Sequence, residues 1–161
     1  MEIIVPISVK LTPESQALID ALNAMGKAAP APTQTDAPLK IGDHHFKLGG
    51  KYAGISVGED GQPDHPLALL SHKADKPMTW DEATKWAASF GDGSRLPTKR
   101  EAALLYANLP DEFDKSDWHW TSTPYSASLA WLQFFGYGGQ SDTTKSSERL
   151  CRAVRLIQLS A

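Results

Sequence analysis

Cysteine is nearly absent from this chain. Cys151 stands alone among 161 residues, so neither an intrachain disulfide nor a cysteine-built zinc site is open to it. No apolar run approaches the roughly 18 residues that a membrane-crossing helix requires. A concentrated positive charge is missing too: 16 Lys and Arg stand against 19 Asp and Glu, spread evenly, for a net charge of −3. Nucleic-acid binding needs a concentrated basic face, so it is excluded as the main role, and the acidity is too mild for a DNA mimic. There is no internal repeat, and no histidine pair has the spacing that holds a metal on one helix face. At the start, "MEIIVPISVKL" places Glu2 where a signal peptide is basic and breaks its apolar run at Pro6. The expectation is an intracellular product, or one released by lysis or within a particle.

What the chain does hold is enough apolar side chain for one core, at 41% of residues, with five tryptophans. Residues 2–10 read as a strand, with Pro6 suited to an edge. A helix follows from the Thr12 cap through Pro13 to a stop at Gly26, with Leu18, Ala21, Leu22 and Met25 on one face. Residues 1–26 thus form a strand–helix arm, expected to dock or to self-associate. Residues 27–40, "KAAPAPTQTDAPLK", form an Ala/Pro linker, and 41–161 form the main domain. There, "GGKYAGIS" and "PLALLSH" read as strands. "TWDEATKWAASFG" reads as a helix with a Thr79–Glu82 capping box and an apolar face of Trp80, Ala83, Trp86, Ala87 and Phe90.

"RLPTKREAALLYANLP" carries a second capping box, Thr98 with Glu101, and Arg95 is expected to pair with a neighbouring carboxylate or carbonyl. Ala102, Leu105, Tyr106 and Leu109 face the core, and Pro110 ends the helix. The stretch reads as frame, with binding expected elsewhere. "DWHWTSTPY", "LAWLQFFGYGG" and "ERLCRAVRLIQL" alternate as antiparallel strands, giving an α+β class with two helices and a mainly antiparallel sheet.

Three motifs recur in a fixed order: "RLPTKRE" opening a helix, "WHWTST" on a strand, and "RLCRAVRL" on the last strand. Together they resemble the variant C-type-lectin fold shared by formylglycine-generating enzymes, phage tropism-determining proteins and small phage or prophage domains. The resemblance spans roughly residues 45 to 156. It implies a C-type-lectin-like scaffold. The enzymatic branch of that family depends on a cysteine pair binding copper, whereas this chain has Cys151 alone, in an apolar strand context that suits a structural residue. "QPD", Gln62 to Asp64, matches a galactose-binding tripeptide of calcium-dependent lectins. It lies before the first helix of the domain and lacks the companion Trp-Asn-Asp strand, so it reads as a turn.

Other constellations are weak. His44, His45, His65, His72 and His119 have no carboxylate pattern around them, and Asp117, His119 and Ser122 lie too close along one strand to form a triad. No cofactor, metal or catalytic residue is expected. The tryptophans are assigned mostly to the core. "FFGYGGQSDTTKSSE" is Gly- and Ser-rich with embedded aromatics, which fits either a binding surface or an ordinary hairpin with solvated loops. In the tropism-determining relatives this region displays the ligand-binding face. By that resemblance the matching residues are Tyr125, Phe135, Tyr137, Gln140 and Asp142. The resulting expectation is a non-enzymatic phage or prophage module that binds a host protein in the host cytoplasm, such as a defence component. The alternatives are a virion or tail protein that recognises a receptor or glycan, and an uncharacterised enzyme.

Overall fold

The computed structural model describes residues 13–25 and 38–157. Internal contacts divide the chain into Met1–Pro38 and Leu39–Ala161, and each unit is taken by itself. In the first, Pro13–Met25 is helix α1, with Pro13 at its first position, where a missing N–H costs nothing. Leu18 on α1 is 65% exposed. The expected strand over 2–10, the Thr12 cap, the Gly26 stop and residues 27–37 of the linker lie outside the described residues.

The second unit is α+β. Its elements run β1 (His44–His45), β2 (Gly50–Ser56), β3 (His65–Lys73), α2 (Trp80–Ala88), α3 (Lys99–Asn108), β4 (Trp118–Pro124), β5 (Leu129–Phe134), β6 (Gln140–Thr144) and β7 (Arg152–Leu156). The strands form two antiparallel sheets rather than one. The first has the order β1-β2-β3-β7 and the second β4-β5-β6. The short Leu150 segment joins them: Trp120 donates its N–H to the Leu150 carbonyl at 2.9 Å, and Leu150 donates to the Trp118 carbonyl at 3.1 Å.

Both helices start where local chemistry says they should. Glu82 Oε2 accepts from the Thr79 N–H at 3.0 Å, and Glu101 Oε2 accepts from the Thr98 N–H at 2.8 Å, each satisfying a donor that the first helical turn leaves open. Helix α2 buries Ala83 and Ala87 against Leu96, Trp120, Leu132 and Ala153, with Trp80, Trp86 and Phe90 packed around them. Two indoles fix it reciprocally: Trp80 Nε1 donates to the Thr121 carbonyl at 2.9 Å, and Trp120 Nε1 to the Met78 carbonyl at 2.8 Å. Helix α3 lies over the four-stranded sheet, packing Leu105 and Leu109 on Ala53, Leu67, Leu69 and Val154. Its C-terminal end is tied to β2 at a bulge, where Asn108 donates to the Ala53 carbonyl at 2.7 Å and Gly54 takes a positive φ of 119°.

The arginines of β7 act as carbonyl clamps. Arg152 is buried and donates to the Leu70 carbonyl at 3.0 Å and to the Glu112 carbonyl, while Arg155 donates to the Phe90 and Gly91 carbonyls at 3.3 and 3.2 Å. Beside Arg152, His119 is 4% exposed, with the Phe113 and Phe135 rings set nearly perpendicular to it, 5.4 and 5.1 Å away. Burial, together with the Arg152 charge, pushes the His119 pKa down to about 4, so the folded protein keeps the ring neutral.

Between about pH 6.5 and 4, therefore, the unfolded chain binds a proton that the folded one refuses. The contribution is complete above the unfolded value and is lost as pH falls through that window, amounting to about 3 kcal/mol. The variant His119→Phe should show a markedly smaller loss of unfolding free energy between pH 7 and pH 4.5 than the wild-type chain, measured by urea denaturation. Equal losses in the two proteins would contradict the assignment.

Candidate functional site

The stretch 134–148 folds as a hairpin. Phe134 donates its N–H to the Gly139 carbonyl at 2.8 Å, and Gly138 donates to the Phe134 carbonyl at 3.0 Å, closing the turn between β5 and β6. Gly138 is required there: its φ is +81°, and a Cβ would fall 2.4 Å from the Tyr106 ring. Gln140, Ser141, Asp142, Thr143 and Thr144 then pair in register with Gln133, Leu132, Trp131, Ala130 and Leu129. Adaptable composition has been given a fixed backbone.

Side chains alternate across β5, so Trp131 and Phe134 leave on opposite faces. Around Trp131 a cluster forms. Tyr125, 56% exposed, meets the indole edge-on at a centroid distance of 5.3 Å. Lys99 places its ammonium 3.2 Å from the centre of the Trp131 ring, an attraction worth about 0.5–1 kcal/mol at a partly exposed site. Asp142 stands directly across on β6.

Lys99 is set there by its backbone, which is stitched to both neighbouring strands. Its N–H donates to Thr123 Oγ1 at 2.9 Å, and its carbonyl accepts from Gln140 Nε2 at 2.9 Å. Gln140 also donates to Gln133 Oε1 at 2.9 Å, so its amide is spent on positioning.

The five residues singled out from the sequence therefore divide. Tyr125, Gln140 and Asp142 come together at Trp131. Tyr137, 68% exposed, lies on the other side, tilted against Phe134 at 4.7 Å. Phe135 needs correction: it is 1% exposed and stacks on Phe113 at 3.7 Å with the rings 2° from parallel. It is the first residue of the turn after β5, and its ring turns inward to complete the core beneath α3.

Trp131 and Lys99 also belong to the cluster: the sequence places Trp131 on one face of β5 with Gln133, without marking it as a site residue, and Lys99 in a stretch that reads as frame. Nothing local identifies Lys99, whose position depends on contacts more than 20 residues away in sequence.

The other sequence candidates find structural roles. The "QPD" segment is a turn in which Asp64 accepts from the Gly58 N–H at 2.9 Å and Gln62 donates to the Glu59 carbonyl at 3.0 Å. Ser122 donates its backbone N–H to the Pro97 carbonyl at 2.8 Å, Asp117 accepts from the Trp118 N–H at 2.6 Å, and His119 is buried against the Phe113 and Phe135 rings. Cys151 is 3% exposed, and burial pushes its thiol up to about 12, which leaves it a protonated apolar group in the core beside α2. Among the described residues, no group of three or more His, Cys, Asp or Glu could hold a metal ion, and no helix is long and apolar enough to cross a membrane. The Trp131 cluster offers aromatic edges, one cation and one carboxylate on a fixed frame.

No family model matches the chain, and no curated protein matches it. Among solved structures, the chain is similar to the crystal structure of botrocetin, at 13% identity and a TM-score of 0.44, over 65% of this chain and 97% of that one.

Proposed function

We propose that this chain is a non-enzymatic, C-type-lectin-like binding module that recognises a protein partner through the face around Trp131. The observation that carries the reading is Trp131, met edge-on by Tyr125, covered by the Lys99 ammonium and paired across the β5–β6 ladder with Asp142. Rigid aromatics flanked by complementary charges give contact area at little entropic cost, which is how interface anchors obtain their energy. The resemblance to phage and prophage domains supports a host protein as the partner, with a component of host defence among the candidates and the host cytoplasm as the place of action. Tagged full-length chain, incubated with lysate of a bacterial host, should capture one stoichiometric host protein identified by mass spectrometry. Tyr125→Ala should cut that capture by at least about tenfold. Undiminished capture by the variant would overturn the assignment of the face, and enrichment of envelope proteins or surface glycans would favour a virion protein that recognises a receptor.

Self-association through α1 is a second proposal, motivated by the apolar pattern Leu18, Ala21, Leu22 and Met25 in the sequence of that helix, which precedes an Ala/Pro linker. Light scattering of the full chain should give a multiple of the 17.5 kDa mass, and Leu18→Glu should restore the monomer. A wild-type monomer at high concentration would refute it.

A further inference from the structure

A cavity of about 580 Å³ opens between the β2–β3 loop and the first half of α3. The size suits a small organic ligand. Its polar base is unevenly furnished. Glu101, 4% exposed, accepts from Arg95 Nη1 at 2.6 Å, Arg95 Nη2 at 2.8 Å, the Thr98 N–H at 2.8 Å and the Ser56 hydroxyl at 2.8 Å. Those four donors fill the acceptor capacity of a carboxylate.

Arg95 is not used up in the same way. Its side chain is 33% exposed, and besides Glu101 it donates to the Leu96 carbonyl at 3.0 Å, which engages three of the five guanidinium N–H groups. At the mouth, Arg100 is held by Glu59 at 3.3 Å, with both side chains more than half exposed, a pairing of small worth that a stronger acceptor can displace. Val57, Pro63, Leu104 and Leu156 supply apolar wall. The cavity thus couples spare cationic donors at one side to hydrocarbon at the other, and its buried carboxylate is already saturated.

We propose that this cavity binds an apolar carboxylate, its head group taken by Arg95 and Arg100 and its hydrocarbon body packed on Val57, Leu104 and Leu156. The preference for an anion rests on Arg95, which keeps two guanidinium N–H groups unspent while the acceptor capacity of Glu101 is filled; Glu59, the other carboxylate of the lining, is held by Arg100 at the mouth. Such a ligand has two sources, the C-terminal residue of a polypeptide and a free small acid. The site is separate from the Trp131 face and does not depend on the function proposed for it.

The test is a titration of ¹⁵N-labelled full-length chain with octanoate, followed by amide chemical shifts. Saturable shifts should appear at Ser56, Val57, Arg95 and Leu104 with a Kd on the order of 1 mM, and octanamide should bind at least about tenfold more weakly. Arg100→Gln, an exposed change that leaves the fold alone, should weaken octanoate by about three- to tenfold. Val57→Asp, at a residue 55% exposed, should abolish binding by placing a like charge at the mouth. Equal binding of octanoate and octanamide, shifts scattered elsewhere, or no shift up to about 20 mM would overturn the proposal. In a second arm, the peptide Ala-Ala-Ala-Leu is compared with octanoate. Tighter binding by the free-acid peptide, lost on amidation, assigns the site to polypeptide C-termini; weaker binding assigns it to free small acids.

Discussion

A carboxylate in a buried position costs several kcal/mol unless it is fully compensated, and Glu101 is compensated from three directions at once. Burial raises its pKa, but the hydrogen bonds and charge of Arg95, with the Thr98 N–H and the Ser56 hydroxyl, outweigh that and leave it below the usual carboxylate value. The donors come from two pieces of chain, the segment that enters α3 and the end of β2. Arg95 comes from the segment entering α3, Thr98 is its cap, and Ser56 is the last residue of β2. Satisfying one charge therefore fixes the helix start against the sheet.

Much of the remaining geometry inherits that placement. With its first turn fixed at Ser56 and its last at Ala53, α3 lies along β2 and brings Leu105 and Leu109 onto the sheet. The residue after the cap is Lys99, whose backbone bridges Thr123 and Gln140 and whose ammonium lies over Trp131. Just before the same turn, Arg95 lines the cavity together with the β2–β3 loop. One helix start thus supplies a residue to the Trp131 face and others to the cavity. The stretch "RLPTKRE" is frame, and it is also the border of both surfaces.

Local chemistry was legible in the sequence because its partners are close along the chain. Both capping boxes, the apolar faces of α2 and α3, the stop at Pro110, the turn at Gln62–Asp64 and the structural role of Cys151 follow from residues within a few positions of one another. What depended on distant partners was not legible. Phe135 looks like a loop aromatic until Phe113, 22 residues earlier, is seen to stack on it. Gln140–Thr144 is too polar to announce a strand, and becomes one because β5 offers an unpaired edge in register. The junction between the two sheets rests on the Leu150 bridge, and the cavity on side chains drawn from β2, its following loop and α3.

The central claim is that the Arg95–Glu101 pair organises this region, and a double-mutant cycle tests it directly. Urea unfolding would be measured for Arg95→Leu, Glu101→Gln and the double variant against the wild-type chain. The account predicts that each single change costs about 3 kcal/mol, and that the double costs little more than either, for a coupling of at least about 2 kcal/mol. Additive losses, with coupling below about 0.5 kcal/mol, would show two independent side chains and contradict the account.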